Sequence, residues 1–294
     1  MSSAAQSAPK PLLQGQDWSG PMGEKWNHWH ERFEAMLAPI GAATLELAGC
    51  RNGERVLDIG CGAGATTLAL ARQVGPGGQV LGVDISSVLV QTAAARAEQN
   101  GIINAGFLCG DASILKLPHT GYDVLFSRFG VMFFNDPLAA FRNMRLMMGE
   151  GGRVAFCCWG PPPENPWVSS LAAVVSRHMA LPAPDPLAPG PFAFADQIRT
   201  RTILEQAGFT RIQFTPWHGK QILGGPGLDL DEVLQFAEKA FFVGDVLEGK
   251  PEQLCQQVLA DVRDFLRSQQ TKHGVELDAM AWLVSAGCAG KSSA

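Results

Sequence analysis

Apolar positions along this chain change their spacing twice. Met22, Trp26, Trp29, Phe33, Met36, Leu37 and Ile40 recur every three or four residues, which predicts a helix over 22–49 with one apolar face. Pro39 is expected to break or kink it. From 54 to 160 short apolar runs alternate with helical stretches. Strands are predicted at 55–59, 79–84, 105–109, 122–127 and 152–159, and helices at 65–74, 87–99 and 136–148. Ser86 stands where an N-cap belongs, and Gly101 lies just past the end of that helix. Such alternation demands a parallel sheet with helices on both faces.

After Trp159 the texture changes. Gly160-Pro161-Pro162-Pro163 stops the fifth strand. A helix is expected over 165–180, then an irregular proline-rich stretch from Leu181 to Pro191. Phe194 to Ala207 reads as a helix stopped by Gly208. A strand at 211–217, helices at 230–243 and 251–270, and a last apolar strand from Ala279 to Ala286 complete the series. Residues 1–16 are rich in Ser, Ala, Pro and Gln and predict a disordered tail. The chain therefore divides into that tail, an N-terminal helical cap (17–49), an α/β core (50–160) and a C-terminal part (161–294) belonging to the same globular unit. There is no internal repeat.

The most informative ten residues are Val56-Leu57-Asp58-Ile59-Gly60-Cys61-Gly62-Ala63-Gly64-Ala65. An apolar strand carrying an acid breaks into a glycine-rich turn ahead of a helix. Glycines there tolerate positive φ and let a ligand approach the backbone. The helix start offers free N–H groups and a partial positive charge. Gly60-x-Gly62-x-x-Ala65 also fits a dinucleotide pattern that ends in alanine. Two further strands end in acids, in Val83-Asp84-Ile85-Ser86 and Gly110-Asp111-Ala112. Asp84 lies 24 residues past Gly60, where a carboxylate can accept both ribose hydroxyls. Three strand-end acids repel a pyrophosphate and suit a cationic adenosyl ligand.

These residues resemble the class I S-adenosylmethionine-dependent methyltransferases, most of all the small-molecule branch that includes the ubiquinone and menaquinone methyltransferases. The resemblance covers residues 45 to 160, and Phe156 to Trp159 after Gly151-Gly152 matches the family's fifth strand. It implies a Rossmann-like, seven-stranded, mostly parallel α/β sheet with helices on both faces and a final antiparallel edge pair. The N-terminal helical cap and the two helices near the C-terminus would be additions to that sheet. It implies S-adenosylmethionine as cofactor and S-adenosylhomocysteine as product. Asp58, Gly60, Cys61, Gly62 and Gly64 would face the methionine part, Asp84 and Ile85 the ribose, and Asp111 and Ala112 the adenine, with Ser127 beside them.

Composition narrows the partners. The 294 residues are 46% hydrophobic and 17% charged, with net charge −5 and no Lys/Arg run, which argues against a nucleic-acid substrate. No leader-like h-region and no long apolar span is present, and the seven cysteines show no paired spacing. We therefore expect a cytoplasmic protein with reduced thiols, no membrane span and no structural zinc. An apolar face on the helix at 230–243 makes a homodimer an option.

Methyl transfer from a sulfonium needs alignment and desolvation more than any one acid or base. The expected substrate wall is aromatic: Trp26 and Trp29 on the first helix, Phe129, Met132 and Phe133 after strand four, and Trp159 and Trp167 around the end of strand five. Met132 and Phe133 serve equally well as core, and Trp26 and Trp29 as packing for the cap. A small, apolar or aromatic acceptor follows, reacting at O, N or C. His30 is the candidate base, unless it is hydrogen-bonded structurally. Arg128 can bind a substrate anion, brace the cofactor carboxylate or pair with a core acid. No Asn/Asp-Pro-Pro-aromatic segment follows strand four, which disfavours DNA-amine and glutamine-amide methyltransferases. No acid ends that strand either, so a metal site is not expected. Two alternatives keep the fold: an enzyme using the sulfonium charge for a cyclisation or rearrangement, and a non-catalytic binding protein.

Overall fold

The computed structural model describes residues 17–288, so the tail expected at 1–16 lies outside the described residues. Two helices open it, α1 (Pro21–His28) and α2 (His30–Ala48). The expected break at Pro39 moves to Trp29, whose φ of −104° and ψ of 13° leave the helical range. Pro39 stays inside α2, on a turn held inward by the buried Met36, Leu37 and Ile40.

The strands are β1 (Arg55–Ile59), β2 (Gln79–Asp84), β3 (Ala105–Cys109), β4 (Tyr122–Arg128), β5 (Met148–Trp159), β6 (Phe209–Ile222), β7 (Gln270–Thr271) and β8 (Gly274–Cys288). They lie in the order β3-β2-β1-β4-β5-β8-β6, with β7 on β8. The first five run parallel, while β8 is antiparallel to both β5 and β6. The two-residue β7 is the one strand beyond the seven expected. Helices α3 (Ala65–Val74), α4 (Ser87–Gln99), α5 (Pro137–Met147), α6 (Pro166–Val175), α7 (Gln197–Gln206), α8 (Leu230–Ala240), α9 (Phe242–Leu247) and α10 (Glu252–Ser268) complete the described chain.

Val56 and Leu57 of β1 are both fully buried although they face opposite sides, as a central parallel strand requires. From β1 the chain winds outward to β2 and β3, then returns past β1 to β4. The winding reverses between β1 and β4, so their carboxyl ends leave a crevice there.

The antiparallel β6–β8 pair is longer than expected, with His218, Lys220 and Ile222 paired to Met280, Asp278 and Glu276. The expected helix at 230–243 splits at Phe241, whose ψ of −166° is extended. Asp229 and Glu232 form a capping box at the start of α8. The apolar face of α8 is spent inside the chain: Phe236 sits edge-on to Trp29 and Phe33 at 5.5 and 5.2 Å. That corrects the partner face expected there. Ser86 holds the N-cap position of α4 without a side-chain cap bond. All seven cysteines are free thiols, and among the described residues no helix is long and apolar enough to cross a membrane.

Candidate active site

The turn after β1 carries Gly60, Gly62 and Gly64 at φ of 66°, 54° and 85°. At Gly60 a Cβ would lie 2.6 Å from Gly130 Cα, so this turn packs backbone to backbone on the loop after β4. A Cβ at Gly62 would meet nothing nearer than Trp26 Nε1 at 4.0 Å, because that position faces open space. Helix α3 starts at this turn with no side-chain cap.

A cavity of about 780 Å³ opens above the β1–β4 crevice. Of the residues expected at the cofactor, Gly60, Cys61, Gly62, Asp84, Ile85, Asp111 and Ala112 line it. The Asp84 carboxylate accepts the N–H groups of Gly62 at 2.8 Å and Ser86 at 2.9 Å, and each oxygen keeps a lone pair for a hydroxyl donor. Burial pushes its pKa up. Asp111 accepts from Ser113 N–H through one oxygen only.

Three expected cofactor residues sit elsewhere. Gly64 is turned away from the cavity, where a Cβ would lie 2.8 Å from that of Ala93. Asp58 is fully buried beneath the turn and outside the cavity lining. Its Oδ2 accepts the hydroxyls of Thr66 and Thr67 at 2.8 and 2.7 Å, while its Oδ1 is buried without a partner. Burial pushes its pKa up to about 6, against the two threonine hydrogen bonds and the charge of Arg128. Ser127 is a brace: its hydroxyl donates to Ile59 C=O at 2.7 Å and accepts from Gly130 N–H at 3.1 Å.

Of the substrate-side residues, Trp26, Phe129, Met132, Phe133, Trp159 and Trp167 line the cavity, as does Arg128. Phe129 has φ of 63°, unusual for a bulky residue, and its ring stacks on Trp159 at 4.3 Å. Trp26 stacks on Phe33 at 3.8 Å. Trp29 instead packs against Phe236 and does not line the cavity. His30 is also outside it, because its Nδ1 lies 2.7 Å from the Asn27 carbonyl within its own helical turn. His30, the expected base, therefore does not border the ligand space.

Some lining residues carried no signal of their own. Trp18 meets Phe133 at 4.8 Å and Trp26 at 5.4 Å, and its indole N–H is buried without a partner. It lies only two residues past the polar tail, in a stretch with no periodicity. Met36 and Leu37 of α2 were legible as an apolar face but not as cavity wall. Burial pushes the Cys157 thiol up to about 11 and that of Cys61 well above its ordinary value, so neither is a thiolate near neutrality. Among the described residues no group of three or more His, Cys, Asp or Glu is placed to hold a metal ion.

An adenosyl ligand fits this arrangement: a turn open at Gly62 and a strand-tip carboxylate with free lone pairs share one cavity. The family comparison agrees, since a methyltransferase domain model matches residues 51–174. Residues 51–174 are thus similar to a methyltransferase domain. Its family uses S-adenosylmethionine. The chain is similar to aklanonic acid methyltransferase DauC of Streptomyces sp. (strain C5), 33% identical over 120 residues, 41% of this chain and 54% of that one. It is also similar to the ubiquinone/menaquinone biosynthesis C-methyltransferase UbiE of Burkholderia vietnamiensis, 29% identical over 186 residues, 59% of this chain and 74% of the relative. The chain thus spans just over half the length of DauC. The fold of the methyltransferase domain and its additions is shared with YcgJ of Bacillus subtilis, at TM-score 0.57 and 19% identity over 85% of this chain and 97% of that one.

Proposed function

We propose that this chain transfers a methyl group from S-adenosylmethionine to a small, largely apolar or aromatic metabolite at an O, N or C centre, without a metal. One observation carries the reading: the open glycine turn with Asp84 and the Phe129–Trp159 stack border the same cavity. The donor, when bound, supplies an electrophilic methyl carbon. Everything else falls to the chain. Asp84, and Asp111 through its second oxygen, accept from the nucleoside part. Phe129, Trp159 and Trp167 exclude water and hold a flat or apolar acceptor. Alignment of this kind supplies on the order of 7–11 kcal/mol in a well-fitted site. The cavity volume of about 780 Å³ accommodates two ligands of this class. A reducing compartment suits the seven free thiols.

The test is incubation of the protein with labelled S-adenosylmethionine and fractions of an apolar metabolite extract. The reading expects label in an acceptor and stoichiometric S-adenosylhomocysteine, unchanged by a chelator. An acceptor converted without S-adenosylhomocysteine assigns the pocket to a non-methylating reaction. Activity lost with the chelator removes the metal-free mechanism.

A further inference from the structure

Arg128 is the single basic side chain among the residues that line the cavity, against six acids: Asp17, Glu34, Asp84, Asp111, Asp136 and Asp185. It is only partly exposed, and it makes no hydrogen bond or ion pair with a described residue. Its charge lowers the pKa of Asp58, which is fully buried and bonded to Thr66 and Thr67. Arg128 projects from the tip of β4 beside α2, where a Cβ at Gly41 would lie 3.2 Å from its Cδ. The next residue along the chain, Phe129, stacks on Trp159. A guanidinium is thus held between a helix and an aromatic wall, facing ligand space, with five donors and no protein acceptor.

Resting on the reading of a methyl-transfer cavity, we propose that Arg128 receives a carboxylate carried by a compound bound there. A carboxylate matches the planar fork of the guanidinium with two parallel hydrogen bonds. A dianionic phosphate does not suit a cavity with one cation and six acids. Two compounds can bring that carboxylate: the aminoacyl end of the methyl donor, or an aromatic acid as acceptor. Both place the same group on the same residue.

The experiment compares the wild-type protein with Arg128→Gln by calorimetry, using two pairs of probes. S-Adenosylhomocysteine against 5′-methylthioadenosine reads a carboxylate on the donor side. 2-Naphthoate against 2-naphthamide, with and without S-adenosylhomocysteine, reads one on the acceptor side. Loss of a charge-assisted pair lowers affinity about tenfold or more. If the donor supplies the group, Arg128→Gln weakens S-adenosylhomocysteine by that factor and leaves 5′-methylthioadenosine unchanged. If the acceptor supplies it, the wild type prefers 2-naphthoate over the amide and the variant loses the preference. Both ratios unchanged in the variant overturn the proposal. Should neither nucleoside bind the wild type, the methyltransferase reading fails, and the naphthoate pair on the free protein still decides Arg128. Should Arg128→Gln fold poorly, Gly41→Ala crowds the Arg128 stem instead and must shift the same ratio in the same direction.

Discussion

The Asp84 carboxylate accepts the backbone N–H of Gly62 at 2.8 Å, joining the tip of β2 to the turn that follows β1. The same side chain accepts from Ser86, so one carboxylate sets the positions of two loops that border the cavity. Asp84→Ala frees two backbone donors and removes an acceptor from the ligand space. The expected outcome is a loss of S-adenosylhomocysteine affinity of about a hundredfold, in line with a charged hydrogen bond pair. Asp84→Asn, which keeps the shape, should lose less. Isothermal calorimetry on protein with wild-type circular dichroism checks both, and an unaltered affinity in Asp84→Ala would refute the role.

Gly60→Ala should be more disruptive than its size suggests. The new methyl carbon would lie 2.6 Å from Gly130 Cα, with the residue held at φ of 66°. Strain at such a φ costs on the order of 1–3 kcal/mol before the collision is counted. Chemical denaturation should show that loss together with loss of nucleoside binding. Gly101→Ala serves as the control, because its φ of 63° is strained but nothing lies within 4 Å.

The buried carboxyl of Asp58 makes stability depend on pH in an unusual direction. Its pKa is about 6 in the folded chain against 3.8 for the free group. Between those values the folded state binds more protons than the unfolded one, so this group lowers stability as pH rises from about 4 to 6. Complete titration corresponds to roughly 3 kcal/mol. In Asp58→Asn that slope should vanish, and urea midpoints for both proteins at pH 4, 5, 6 and 7 measure the difference. A constant difference across the series would mean that Asp58 titrates normally.

Ser127 ties β4 to β1 through the Ile59 carbonyl and to the next loop through Gly130 N–H. Removing the hydroxyl takes the partner from a buried carbonyl and a half-buried N–H. Ser127→Ala should therefore lower unfolding free energy by about 1–3 kcal/mol. Thr cannot fully substitute if its methyl group meets the closely packed Gly130, so Ser127→Thr belongs in the same melting series.

The alternating part of the chain was legible almost residue for residue. Strands and helices from Arg55 to Asp84 end where a glycine, an aspartate or a polar cap interrupts an apolar run. The strand ends beyond Trp217 and before Ala279 were not, because His218, Lys220, Glu276 and Asp278 interleave charges with single apolar residues on an exposed edge. The site was legible as a neighbourhood more than as a set of contacts. Asp84 and Asp58 both sit near strand ends, yet only Asp84 reaches the cavity. The signal that separates them was present: Thr66 and Thr67 open the following helix with two hydroxyls in reach of Asp58. Likewise, His30 shares a face with Trp26 and Phe33, but Asn27 three residues earlier offers its carbonyl first.

Phe129 holds its ring on Trp159 only by keeping its backbone at φ of 63°, where glycine is at ease and an aromatic residue is not. Glycine there would relieve about 1–2 kcal/mol of backbone strain. It would also empty a buried site, at a cost of about 3–5 kcal/mol. The ring therefore holds its own backbone in the strained shape, and the plate against which a flat molecule would rest is kept by the same packing that keeps the chain folded.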